Sequence, residues 1–382
     1  SCSRRTWLKR PRHTRLPTRT ASAMSYDYKT VAGELKGRSF LTLLDFTPDQ
    51  IRFMLDLSAK LKTRKQQARE IGVQGNLFTG KNVVLIFDKG STRTRCSFEV
   101  AVQDEGGGVT FLSGSHMGKK ESVEDTAKVL GQLYDGIEFR GYAQADVEAL
   151  AKFSGVPVWN GLTDEFHPTQ ALADFLTARE CLKKPYNEMK VIYIGDAANN
   201  VAYSLMICTV KLGGKFVALG PKERSPDPAL VAKMEALGKE TGGTVEVYDI
   251  TQRKTALAGA DVLYTDVWVS MGEEDLFAER IALLKDYQVD MSMIADTNNP
   301  DCIFLHCLPA FHDTETTVGK EVKEKFGLDA MECSDELFRS KHCAAFQQAG
   351  NRLHTIKAVM VCTIGHLLRR APNSLDELEF KE

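Results

Sequence analysis

The chain has 382 residues, 43% hydrophobic and 26% charged, with a formal charge of −2. That length allows two domains of ordinary size, and no apolar run approaches the roughly 20 residues that a membrane-spanning helix requires. Residues 1–24 hold seven of the 49 Lys/Arg and none of the 51 Asp/Glu, which leaves 42 basic against 51 acidic residues. Such a balance does not suit a nucleic-acid surface, so any phosphate site must be a local pocket.

The first 24 residues, rich in Arg, Ser and Thr, have the composition of an organelle transit peptide. They are set apart as a basic, disordered extension. A genuine transit peptide implies a mitochondrial or related location, and the chain otherwise reads as cytoplasmic. Nine cysteines lie scattered with no CxxC pair. Their odd number and spacing argue for reduced thiols rather than a disulfide framework or a zinc site.

The first strand-like run is 83–87, followed by a turn at Asp88-Lys89-Gly90 and then Ser91-Thr92-Arg93-Thr94-Arg95. A strand, a glycine turn, hydroxyl residues and a helix place unpaired N–H groups and a positive dipole end at one spot, which suits a phosphate. An ordinary N-cap with solvated arginines reads equally well from shape alone. Further strands are expected at 109–113, 136–141 and 156–161, with a helix over 122–134. His167-Pro168-Thr169-Gln170 opens a connecting helix over 168–177.

The second half repeats the alternation, with strands at 190–196, 215–221, 244–249, 261–266 and 303–309, a helix over 227–241 and a closing helix over 350–370. Apolar strands separated by helices imply parallel sheets covered on both faces. The predicted fold is therefore α/β, with two doubly wound parallel-sheet domains joined by helices. The expected domains are 25–170 and 171–349, with 350–382 returning to the first.

Ligands of such sheets bind beyond the carboxyl ends of the strands, where Ser91–Thr94, Arg140, His167, Asn199-Asn200, Asp266 and Cys307 all fall. The turn Gly195-Asp196-Ala197-Ala198-Asn199-Asn200 lacks the later glycines of a dinucleotide fingerprint. Its Asn pair suits an amino acid's carboxylate and ammonium, or a simple cap and turn. Read alone, His167 is as compatible with a structural role as with donation to a carbonyl oxygen, and Cys307 with inert packing.

Together, Ser91-Thr92-Arg93-Thr94-Arg95, His167-Pro168-Thr169-Gln170, Asp266 with Ser270-Met271-Gly272, and His306-Cys307-Leu308-Pro309 resemble the ornithine carbamoyltransferase family over about residues 36–370. The first two motifs are shared with the aspartate branch; the last two belong to the ornithine branch. The resemblance implies transfer of a carbamoyl group from carbamoyl phosphate to L-ornithine, without metal or organic cofactor, in a homotrimer or a multiple of trimers. It assigns carbamoyl phosphate to Ser91, Thr92, Arg93, Thr94, Arg140, His167, Gln170 and Arg352, with His116 reaching a neighbouring subunit's site. Cys307 and Leu308 are counted with these and lie near ornithine's side-chain amine. Ornithine falls to Asn200, Asp266, Ser270 and Met271, and the catalytic set is Cys307, Arg140, His167 and Asp266. Two features depart from the family pattern: Gly350 stands before Asn351-Arg352 where Glu is common, and the loop between Gly106 and Glu121 is slightly short. Competing readings are transfer to aspartate or putrescine, and a catalytically silent scaffold.

Overall fold

The computed structural model describes residues 26–113, 115–269 and 274–378. The expected basic extension over 1–24, and Ser270 and Met271, lie outside the described residues.

Among the described residues, nine strands form two wholly parallel sheets. The first contains β1 (Asn82–Phe87), β2 (Gly108–Leu112), β3 (Gly136–Arg140) and β4 (Val158–Leu162), in the order β2-β1-β3-β4. The second contains β5 (Lys190–Ile194), β6 (Lys215–Leu219), β7 (Thr244–Tyr248), β8 (Val262–Thr265) and β9 (Ile303–His306), in the order β7-β6-β5-β8-β9. Each begins in the middle and winds both ways, so each has a switch point, between β1 and β3 and between β5 and β8. Two doubly wound α/β units are thus present, as the alternation of apolar runs implied. Val83, Val84, Leu85 and Ile86 are all at most 1% exposed. Burial on both faces explains why β1 is a continuous apolar run instead of an alternating one.

The helix Pro168–Leu182 joins the two sheets. Every residue from Pro168 to Ala178 is buried, including Gln170, Asp174 and Thr177, because the helix is enclosed by both halves. The helix Ala345–Thr363 packs against it and against Thr92–Asp104 and Pro48–Ile71 of the first half. This closing helix starts five residues before the expected 350. It runs through Gly350, whose missing side chain leaves open space; tertiary packing outweighs glycine's poor helix propensity there.

Candidate active site

Ser91 ends the turn after β1 in extended backbone, and its side chain accepts the Thr94 N–H as the N-cap of Thr92–Asp104. The first turn of that helix faces the carboxyl ends of the second sheet. The Arg93 guanidinium donates to the Leu308 carbonyl oxygen across the cleft. Arg95 points elsewhere, stacked 3.7 Å over Phe111 and paired with Glu99 at 2.9 Å. Arg140 is the last residue of β3, where the β3–β4 register slips between Phe139 and Arg140. Gly161 sits at this slip because a side chain there would collide with Glu138.

Arg352, on the closing helix, is 3% exposed. It donates to Gln170 Oε1 at 2.5 Å, Thr94 Oγ1 at 2.9 Å and His167 Nε2 at 3.1 Å. These bonds orient it without help from position 350; Asn351 is held separately by Lys62 at 2.7 Å and Thr177 at 2.9 Å. Burial, reinforced by Arg140, pushes Arg352 down to about 10, still a cation at neutral pH. Burial first, then Arg352, Arg140 and Arg93, hold His167 well below its ordinary value. Its imidazole is therefore neutral. Because Nε2 accepts from Arg352, the proton sits on Nδ1, which has no protein partner.

Across the cleft, β8 and β9 pair in parallel with Thr265 opposite His306. That register sets the next residues, Asp266 and Cys307, side by side, and the Cys307 thiol donates to Asp266 Oδ1 at 3.0 Å. Burial and the carboxylate push the thiol well up, so Cys307 keeps its proton and is the hydrogen-bond donor of this pair. His306, fully buried, accepts the Leu308 N–H on Nδ1 at 2.9 Å and donates through Nε2 to Glu332 at 3.2 Å. Leu308 lies at φ 61°, in the left-handed region that branched side chains avoid, and the His306 bond pins it there. Asp266, His306 and Cys307 bring ligand atoms within 4.8 Å of one another, the cleft grouping best placed for a metal. Both His306 nitrogens and the thiol already have hydrogen-bond partners.

In the turn after β5, the adjacent asparagines divide their work. Asn199 caps the helix Asn200–Lys211 by accepting the N–H groups of Val201 and Ala202 at 2.9 Å each. Asp196 is taken by Arg224 at 2.6 Å and Arg280 at 3.3 Å. Asn200 faces the cleft and donates to the Thr163 carbonyl at 2.5 Å.

Ser91, Arg93, Thr94, Arg140, His167, Gln170, Asn200, Asp266, Cys307, Leu308 and Arg352 thus line one cavity of about 180 Å³ between the sheets. Thr92 and His116 are exposed and do not line it. In a roomier hollow of about 510 Å³ beside Ile250–Thr255, Arg253 is already paired with Asp296 at 2.7 Å and no set of guanidinium groups meets. Lys89, Leu162, Val201, Val267, Pro309 and Phe311 complete the lining, and the sequence reading assigns none of them a substrate. Lys89 had a signal, since it belongs to the turn before Ser91; it pairs with Asp164 at 2.6 Å.

Behind the lining, Asp174 is 1% exposed and burial pushes its carboxyl up from 3.8 to about 7. The native state keeps a proton there that the unfolded chain releases, so stability falls as pH rises through that window. Asp174→Asn is expected to melt like the parent near pH 4 and to be roughly 2–4 kcal/mol more stable above pH 7. Thermal melts at both pH values check this, and identical pH profiles for the two proteins would contradict it.

Residues 38–180 match the carbamoyl-P binding domain of the Aspartate/ornithine carbamoyltransferase family, and residues 187–363 match its Asp/Orn binding domain. The chain belongs to this family. Among family relatives, "Ornithine carbamoyltransferase, catabolic" of Clostridium perfringens is 55% identical over 336 residues, 88% of this chain and all of that protein. "Ornithine carbamoyltransferase 1, catabolic" of Streptococcus agalactiae is 54% identical, over 87% of this chain and 99% of that one. The solved family structure from Pyrococcus furiosus, an ornithine carbamoyltransferase, superimposes with a TM-score of 0.76 at 38% identity, covering 86% of this chain and 98% of that chain.

Proposed function

We propose that the protein transfers the carbamoyl group of carbamoyl phosphate to the side-chain amine of L-ornithine, giving L-citrulline and phosphate. The observation that carries this reading is charge. Arg93, Arg140 and Arg352 converge on one small cavity, and Arg140 and Arg352 are each held below the ordinary guanidinium value by burial. Burial holds the carboxyl of Glu138, beside Arg140, well above the ordinary carboxylate value, which weakens it as a counter-charge. Such a pocket is stabilised by a compact dianion, and the Ser91-capped helix start adds N–H donors and a dipole.

The transferring carbonyl accumulates negative charge as the amine attacks. Arg140, the neutral His167 through its Nδ1–H, and Thr94 are donors for that oxygen; one such donor is worth about 10²–10³ in rate. Gln170 Oε1 is an acceptor for the carbamoyl NH₂. On the other side, Asp266 receives ornithine's cationic amine, with Asn200, Ser270 and Met271 completing that half. Cys307 orients Asp266 through its S–H and, with Leu308, borders the carbamoyl carbon. Direct attack by the amine needs no thiol adduct. Thr92 contributes its main chain to the helix start, and His116, exposed on its own subunit, reaches the cleft of a neighbour in a homotrimer. Residues 25–170 are the carbamoyl phosphate half and 171–349 the ornithine half, with the closing helix supplying Arg352. Among the described residues no helix is long and apolar enough to cross a membrane, and the reading places the enzyme in the cytoplasm or, with a transit peptide, an organelle.

Incubating carbamoyl phosphate separately with ornithine, aspartate and putrescine and measuring ureido product tests this. Product from ornithine alone is expected; product from another amine, or none, would overturn it. Cys307→Ala is expected to lower ornithine turnover by about tenfold to a hundredfold while carbamoyl phosphate binding, read by calorimetry, survives. Unchanged turnover would remove the thiol from the mechanism.

A further inference from the structure

Two buried glutamines share one carboxylate oxygen. Asp174 Oδ1 accepts from Gln170 Nε2 at 2.8 Å and from Gln348 Nε2 at 2.6 Å. Gln348, fully buried, also donates to the Tyr264 hydroxyl at 3.0 Å, and its Oε1 accepts the His306 main-chain N–H at 3.0 Å. A primary amide has a donor end and an acceptor end. An ionised carboxylate only accepts, so it draws both NH₂ ends inward and turns both carbonyl oxygens outward. The Gln170 oxygen then faces the cleft and Arg352, while the Gln348 oxygen holds the backbone that enters Cys307.

The direction of the Gln170 amide matters because of what surrounds it. Arg93, Arg140, Arg352, Thr94 and His167 present donors, which suit the oxygens of any acyl phosphate. They cannot tell a carbamoyl NH₂ from the methyl of acetyl phosphate, which has nearly the same shape. The Gln170 oxygen can, by accepting from the NH₂ and leaving the methyl unmatched. A flipped amide would offer a donor there and lose the distinction.

We propose that Asp174 is a positioning residue that gives the site its preference for carbamoyl phosphate over acetyl phosphate, by holding the Gln170 amide with its oxygen toward the ligand. This rests on the reading above that Gln170 meets the carbamoyl NH₂. Asp174 touches neither substrate and acts through Gln170.

The test compares dissociation constants of acetyl phosphate and carbamoyl phosphate by calorimetry on the full chain near pH 8.5, above the Asp174 carboxyl. Asp174→Leu, of similar size without an acceptor, is expected to lower the acetyl-to-carbamoyl ratio by about fivefold to tenfold. Gln170→Met should lower it equally, and the double variant no further, because both remove the same contact. Asp174→Asn, which keeps an oxygen in place, should restore the ratio to within about twofold of the parent. If Leu prevents folding, Asp174→Ala carries the same expected loss. An unchanged ratio in a folded Leu or Ala variant, or independent multiplying effects of the Asp174 and Gln170 changes, would overturn the proposal. Failure of the parent to bind carbamoyl phosphate or to form citrulline would instead defeat the functional reading on which it rests.

Discussion

Arg93→Ala is expected to lower kcat/KM for carbamoyl phosphate by about three orders of magnitude. Two charge-assisted bonds to a phosphate, at roughly 1.5–3 kcal/mol each, account for most of that. The same side chain bridges the two halves of the molecule through the Leu308 carbonyl, so its removal also loosens the wall opposite the phosphate. Arg93→Lys keeps the charge and loses the fork, and should fall between the two. Ornithine binding near Asp266 has no direct partner in Arg93. The defect should therefore appear in the dissociation constant of carbamoyl phosphate and not in ornithine's KM at saturating carbamoyl phosphate. A loss of less than tenfold would show that the capped helix start is not the phosphate site.

Asp266→Asn should act in the opposite sense on the two substrates. Ornithine's side-chain amine resembles lysine, with a pKa of roughly 10.4, so at about pH 7.4 near one molecule in a thousand is neutral, equivalent to about 4 kcal/mol. The site must attract the cation and release its proton. Asp266 is the carboxylate that faces the three guanidinium groups across the cleft. The amide neither attracts a cation nor accepts a proton, and kcat/KM for ornithine is expected to fall by about 10³. The phosphate half, relieved of a nearby negative charge, should hold carbamoyl phosphate as tightly as before or a few times more tightly. Steady-state kinetics with ornithine and calorimetry with carbamoyl phosphate separate these effects. Equal weakening of both substrates would point to a structural role for Asp266.

Much of this was legible because each signal was local. The runs 83–87 and 190–196 announce central parallel strands through unbroken apolarity, and Ser91 and Asn199 announce helix starts through their side chains. The pairing of Asp266 with Cys307 required the register of β8 against β9, which depends on residues 41 positions apart and has no local sequence signal. Gln348 was missed for a related reason. Gln347-Gln348-Ala349-Gly350 reads as a polar break before a helix, yet burial between the two halves carries the helix back to Ala345. Asp174 is hidden similarly: its carboxyl lies in a helix enclosed on all sides, where apolar spacing offers no clue to a polar partner. Within Ser91-Thr92-Arg93-Thr94-Arg95 the sequence reading picks out Arg93, and the structure gives a physical reason for leaving Arg95 aside, because the aromatic face of Phe111 captures it.

The most direct measurement is a crystal structure with an unreactive analogue in which a phosphonoacetyl group is joined to ornithine's side-chain amine. The phosphonate is expected at the Ser91–Thr94 turn, bonded to Arg93, with Arg140 and His167 on the carbonyl oxygen, the side-chain nitrogen beside Asp266 and the amino-acid end toward Asn200. A phosphonate bound elsewhere, with Arg93 still turned to the Leu308 carbonyl and the cleft holding only water, would contradict it.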